Sequence, residues 1–296
     1  MASENGRLIP LVAPYGDEIT VYVKGFLAPG ESPEHFDNWR AAHERLVESH
    51  GWGPGAVGWA WSAGTRPALP LPLASGAKLA WDVYRAVRHA RVAALGMTVG
   101  LAVAEIGARY AAQYVLAAQR ARTEARALAG ALEDLAVRHA RVRVVAHSLG
   151  CRQVVEAMRW LPPEKRPHEI HLCAAAVVEE EVCEHLDDLA REKTYLYFSS
   201  NDFVLGLAFP LFAWDRALGS VRPAGEYAGL EVIDVSRHFG FRVHAEYKHR
   251  FAEFAARHAE LAAASPASLA AEAILPAQTL APSSPAEPLE RSAELA

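Results

Sequence analysis

The run Val142 to Gly150, VRVVAHSLG, constrains this chain more than any other stretch. Four residues that favour a buried strand lead into Ala146-His147-Ser148-Leu149-Gly150, and helix-forming residues follow. A small residue stands two before the serine and another two after it. That pattern suits a sharp strand-to-helix turn that lifts a serine Oγ above a sheet in a strained backbone conformation. Larger side chains at Ala146 and Gly150 would meet neighbouring backbone. The alternative is a Ser-Gly turn that only caps a helix.

The flanking sequence supplies the sheet such a turn needs. Ile19–Lys24, Ala56–Trp61, Val142–Ala146, His171–Val177, Thr194–Phe198 and Leu230–Val235 read as six strands, rich in β-branched and aromatic residues. Helical segments separate them. Ser32, Pro33 and Glu34 form a helix start, Phe36, Trp39, His43, Leu46 and Val47 share one face, and Gly51 stops the helix. Lys78–His139 is Ala-rich and long enough for two or three helices. Cys151–Trp160 ends at Pro162-Pro163, the acidic Glu179–Arg191 reads as helical, and Glu246–Leu261 closes the pattern. Strands alternating with helices predict an α/β fold, a mainly parallel sheet of about six strands covered on both faces. A helical insertion at about 78–119 separates the second strand from the third and is expected to pack as a lid or as an added helical layer. Residues 1–262 are expected to form this domain. From Ala263 to Ala296 the chain is Ala, Pro, Ser and Glu without an aromatic residue, and reads as a disordered tail.

Composition excludes several classes. Thirty Lys+Arg against 35 Asp+Glu give a net charge of −5, which offers no general surface for a polyanion, so no nucleic-acid partner is expected. Three cysteines, Cys151, Cys173 and Cys183, without a CxxC pair argue against a disulfide framework and a thiolate metal site. Residues 1–16 lack the basic and apolar segments of a signal peptide. Val92–Ala104 is uncharged, but at 13 residues it falls short of the roughly 20 needed to span a bilayer. A cytoplasmic protein is expected, with a membrane surface as a possible partner.

In a parallel sheet, function gathers on the loops after the carboxyl ends of the strands. Ser148 is the candidate nucleophile. A serine hydroxyl is weak until a base takes its proton, and the base needs an acid to fix its tautomer. The chain order in this geometry is nucleophile, acid, base. Asp202, in the loop after Thr194–Phe198, is the candidate acid; Asp234, inside the last strand, competes with it. His244 is the first candidate base, nine residues past Val235 and just ahead of the closing helix. His249 and His238 remain alternatives. His147 is expected to pack beside the turn, because adjacent residues there point apart. Backbone N–H groups of Leu149 and Phe26 are the candidate oxyanion donors, the latter because Gly25 lets the chain turn after the first strand.

These residues carry a resemblance. From about Ile19 to Leu261 the chain resembles the α/β-hydrolases, with VVAHSLG at the nucleophile turn. VYVKGFLAPGE, Trp39, GWAWSAG, AHSLGCR, SSNDFVL and VHAEY are more narrowly similar to the hydrolases related to transmembrane and coiled-coil domain proteins. In that group the turn is commonly GHSLG, and the later histidine stands in a His-x-x-Tyr setting, which His244-Ala245-Glu246-Tyr247 fits. Two positions depart from the group: Ala146 replaces its first glycine, and Val243 stands where it tends to carry glycine. The resemblance implies an ester-type hydrolase without supplying a substrate. Together with the candidate residues, the leading expectation is a serine hydrolase of carboxylic esters that needs no cofactor or metal and acts on a small-molecule or lipid ester. Two other expectations stay open. One is a lipase or phospholipase docking through Val92–Ala104, and the other is a non-catalytic binding protein of the same fold.

Overall fold

The computed structural model describes residues 6–13, 16–26, 32–63, 112–213, 215–239 and 243–263. The chain divides into a unit of residues 1–256 and a second unit of residues 257–296, of which only the helical residues 257–263 are described. Most of the expected lid (78–111), Val92–Ala104 and the tail beyond residue 263 lie outside the described residues.

The fold is α/β. Seven strands, β1 (Arg7–Val12), β2 (Glu18–Val23), β3 (Gly55–Ala60), β4 (Arg141–His147), β5 (Glu169–Cys173), β6 (Lys193–Phe198) and β7 (Leu230–Asp234), form one sheet in the order β1-β3-β2-β4-β5-β6-β7. All neighbours pair in parallel except β1, which runs antiparallel to β3. The strand missing from the six expected is β1. Its sequence RLIPLV carries Pro10, which has no N–H for a ladder and is tolerated only because β1 is an edge, where the register shifts between Pro10 and Val12.

The central strands are buried almost throughout because helices cover both faces, and the period of two along each strand sorts its side chains between them. Val21, Val144, Leu172 and Leu196 face α3 (Ala125–Arg138) and α4 (Leu149–Met158), packing with Leu128, Leu132, Val154 and Met158. Tyr22, Val145 and Tyr197 face α1 (Asp37–His50) and α5 (Val243–Ala263), packing with Trp39, Leu46, Tyr247 and Phe251. The preceding helix α2 is described over residues 112–123. Its Ala117 and Ala121 pack on Leu149, with Phe26, Trp61 and Tyr114 at the margin. The described end of the insertion therefore lies against the start of α4.

Two sequence expectations fail here. The acidic Glu179–Arg191 is not a helix but two 3-10 turns, Glu179–Glu181 and Cys183–His185. Its carboxylates are committed elsewhere. Glu179 accepts hydrogen bonds from the Ala224 and Gly225 amides and the Tyr227 hydroxyl, and Asp187 accepts one from the Ala228 amide. These tertiary bonds hold the loop before β7 and outweigh local helix propensity. The strand expected through Val177 stops at Cys173, because Ala174 turns the chain with φ of 47°.

Parallel register brings the strand ends to one edge. Val23 pairs with Ala146, His147 with Cys173, Cys173 with Tyr197, and Phe198 with Asp234. There β2 passes so close to the start of α4 that a Cβ on Gly150 would lie 2.7 Å from the carbonyl oxygens of both Val23 and Lys24. Backbone on both sides leaves nothing flexible to move. Gly150→Ala is therefore expected to lose about 1–3 kcal/mol of stability, read as a lower denaturation midpoint in urea. An unchanged midpoint would show that the two segments are not so tightly apposed.

Candidate active site

Ser148 sits between β4 and α4 with φ of 54° and ψ of −124°, in a region costly for any residue with a Cβ. Both of its backbone groups are held by the segment around the end of β5. Its N–H donates to the Cys173 carbonyl at 2.9 Å, and its carbonyl accepts from the Ala176 amide at 3.2 Å and the Cys151 amide at 3.0 Å. The turn at Ala174 is what brings Ala176 back to the serine. Gly25 presses on the other side, where an added Cβ would lie 2.6 Å from Ser148 Cβ and 3.2 Å from Leu149 N.

The structure brings Ser148, His244 and Asp202 together. His244 Nε2 lies 3.0 Å from Ser148 Oγ, and His244 Nδ1 lies 2.8 Å from Asp202 Oδ2. A carboxylate only accepts, so Nδ1 carries the proton and Nε2 is free to accept from the serine hydroxyl. Asp202 is itself fixed. Its side chain is fully buried, its Oδ1 accepts the Leu205 amide at 3.1 Å, and its N–H donates to the Ser199 carbonyl. Ser236 ties the neighbouring loops together, accepting from the Ser200 amide at its Oγ and from Asn201 Nδ2 at its carbonyl.

His244 is not in a loop before the closing helix, as its sequence position suggested. It is the second residue of α5, which starts at Val243 rather than at Glu246. Val243, Tyr247 and Phe251 repeat every four residues and are buried, so the apolar face begins one turn earlier than the sequence reading placed it. The other candidates are elsewhere. Asp234 is exposed, and its Oδ1 accepts the Ser236 amide. His249 is exposed, and its carbonyl accepts from Arg45. The His238 ring lies edge-on to Phe254.

Leu149 is the first residue of α4, where N–H groups have no acceptor within the helix. Phe26 follows Gly25 directly, and its ring meets Tyr114 of α2 edge-on at 5.5 Å. Tyr114 meets Phe209 in the same way at 6.0 Å, so aromatic rings from three separate segments stand together. Cys151 offers no competing nucleophile, since burial pushes its thiol pKa well up. Among the described residues no group of three His, Cys, Asp or Glu is placed to hold a metal ion, and no helix is long and apolar enough to cross a membrane.

Sequence reasoning missed the part played by His147. Its ring packs 4.9 Å from that of His244, against Trp39 and Tyr247, and its Nε2 lies 2.8 Å from the His244 carbonyl oxygen. Burial, reinforced by the nearby His244 and Lys248, lowers its pKa to about 3. The lowered pKa leaves the ring neutral at pH 7, and since the carbonyl can only accept, its proton is on Nε2. Nothing in the sequence marks the bond, because its two ends are 97 residues apart.

No protein-family model matches the chain, and no curated protein does. Among solved structures, it is similar to a propionate-bound thermophilic esterase, Est2, from the Planctomycetes species Thermogutta terrifontis. The two share 12% identity with a TM-score of 0.35, over 87% of this chain and 89% of that one.

The lowered pKa of His147 has a consequence for stability. A histidine whose folded pKa is depressed contributes fully above its unfolded value near 6.5, and that contribution drains away as pH falls toward about 3. Between pH 6.5 and 5 the protein should lose roughly 1.5 kcal/mol through this group. His147→Gln should flatten that part of the urea-midpoint profile, whereas identical profiles for the two proteins would contradict a neutral His147.

Proposed function

We propose that this protein is a serine hydrolase of the α/β-hydrolase type, cleaving carboxylic esters through an acyl-enzyme. The observation that carries the reading is the unbroken hydrogen-bond chain from Asp202 through His244 to Ser148, ending on a serine in a strained turn. A non-catalytic binding protein would not need these groups to converge, so their convergence favours an enzyme.

In this reading Ser148 Oγ attacks the ester carbonyl carbon while His244 Nε2 takes its proton. Asp202 holds the ring in the tautomer that leaves Nε2 free and stabilises the imidazolium that forms. The carbonyl oxygen gains negative charge as the tetrahedral intermediate forms. The N–H groups of Leu149, at the positive end of α4, and Phe26 receive that charge. His244 then returns the proton to the departing alcohol. Water, activated by the same imidazole, releases the acid and restores Ser148. Every step is acid–base or nucleophilic chemistry available to these side chains.

A fluorophosphonate probe tests the reading, because it phosphonylates only an activated serine. Wild-type protein should label and Ser148→Ala should not. Asp202→Asn, which keeps the shape but allows the wrong tautomer, should hydrolyse p-nitrophenyl esters on the order of 10³–10⁴-fold more slowly. Folded wild-type protein that takes no label would overturn the proposal.

A further inference from the structure

The base and the nucleophile reach the site from distant parts of the chain. Ser148 is set by β4 and β5, while His244 rides on the first turn of α5. The face that docks α5 is apolar and aromatic: Val243, Tyr247, Phe251 and Phe254, packed among Trp39, Trp52, Tyr197 and Phe239. Such contacts bury area strongly but tolerate small shifts better than a hydrogen bond does, because their energy changes gradually with distance and angle. The serine–imidazole bond has a much narrower tolerance. A misplacement of about 1 Å in a catalytic constellation is enough for a 10²-fold loss.

Beside the serine–imidazole bond itself, a second hydrogen bond joins the two parts. His147, the residue before Ser148, ends β4 and points to the α1/α5 side of the sheet. There its Nε2 lies 2.8 Å from the His244 carbonyl oxygen, at the start of α5. We propose that His147 is a positioning residue, whose Nε2–H holds the backbone of His244 and thereby places the His244 ring on Ser148. The inference rests on the catalytic reading of the site. It adds that the two residues of the turn divide the work, Ser148 reacting on one side of the sheet edge and His147 aligning the base on the other.

The chemistry of the pair supports this. The carbonyl of His244 has two lone pairs, so it accepts from His147 without giving up its place in the helix ladder. The half-buried ring of His147 packs against Trp39, Tyr247 and His244, with Lys248 a nearby cation, and these surroundings favour its neutral form. A neutral neighbour does not oppose the positive charge that His244 must accept. A charged ring at 4.9 Å would.

The test separates the hydrogen bond from the bulk of the ring. His147→Gln keeps an N–H donor at about the reach of Nε2, and His147→Met has nearly the same length and no donor. The expected result is a second-order fluorophosphonate labelling rate within about threefold of wild type for Gln, and 10- to 100-fold slower for Met. The low-field resonance of the His244 Nδ1–H to Asp202 bond should survive in Gln and broaden or disappear in Met. If the Met variant does not fold, His147→Asn replaces it. Its amide is too short to reach the carbonyl, so it should behave as Met was expected to. Met158→Ala, a core change at the far end of α4, serves as a control that lowers stability without slowing labelling below its melting range. Equal labelling rates for Gln and the donor-lacking variant, whether both fast or both slow, would overturn the positioning role. Unlabelled wild type would instead overturn the catalytic reading, and this inference with it.

Discussion

A serine held at positive φ is the constraint on which the site depends. The conformation is unfavourable by about 1–3 kcal/mol for a residue with a side chain, and it persists only where surrounding structure imposes it. Here the imposition comes from the neighbouring strand. The Cys173 carbonyl and Ala176 amide bind both backbone groups of Ser148, while Gly25 and Gly150 let β2 press against the turn from the other side. These contacts exist because β2, β4 and β5 are parallel neighbours that end together. Topology thus supplies the strain, and strain presents the hydroxyl.

Asp202 and His244 are positioned by different means. Asp202 lies in a short loop fixed by hydrogen bonds, to the Leu205 amide and through the ties that Ser236 makes to Ser200 and Asn201. His244 comes with a long helix whose docking face is largely apolar, and His147 adds a hydrogen bond from the turn to its backbone. The core supplies the free energy to hold α5 down, and the hydrogen bonds at its first turn add direction to that docking.

Much of this was legible in the sequence, and for local reasons. A strand, a small residue, a serine, a glycine and a helix follow one another within a dozen residues, so VRVVAHSLG announces its turn without help from distant chain. Asp202 was accessible because TYLYF marks a strand whose following loop must lie at the same edge. What stayed hidden depends on partners far away. The Glu179 region carries helical residues, yet its carboxylates serve the loop before β7. Strand β1 was masked by Pro10, which only an edge position excuses. Spacing in the sequence puts His244 in a loop, whereas the apolar face of α5 extends back to Val243, a continuation visible only once that face is seen packed. The role of His147 needed both ends of a bond that spans 97 residues.

The central claim is that the hydroxyl of Ser148 forms a covalent bond with an acyl group. Mixing the protein with p-nitrophenyl acetate, quenching in acid within the first turnover and mapping the modified peptides by tandem mass spectrometry addresses it directly. The account predicts acetyl mass on Ser148, in the peptide that spans the end of β4 and the start of α4, and its disappearance as turnover completes. Acetyl groups scattered over surface lysines with Ser148 unmodified, while the ester is still consumed catalytically, would contradict it.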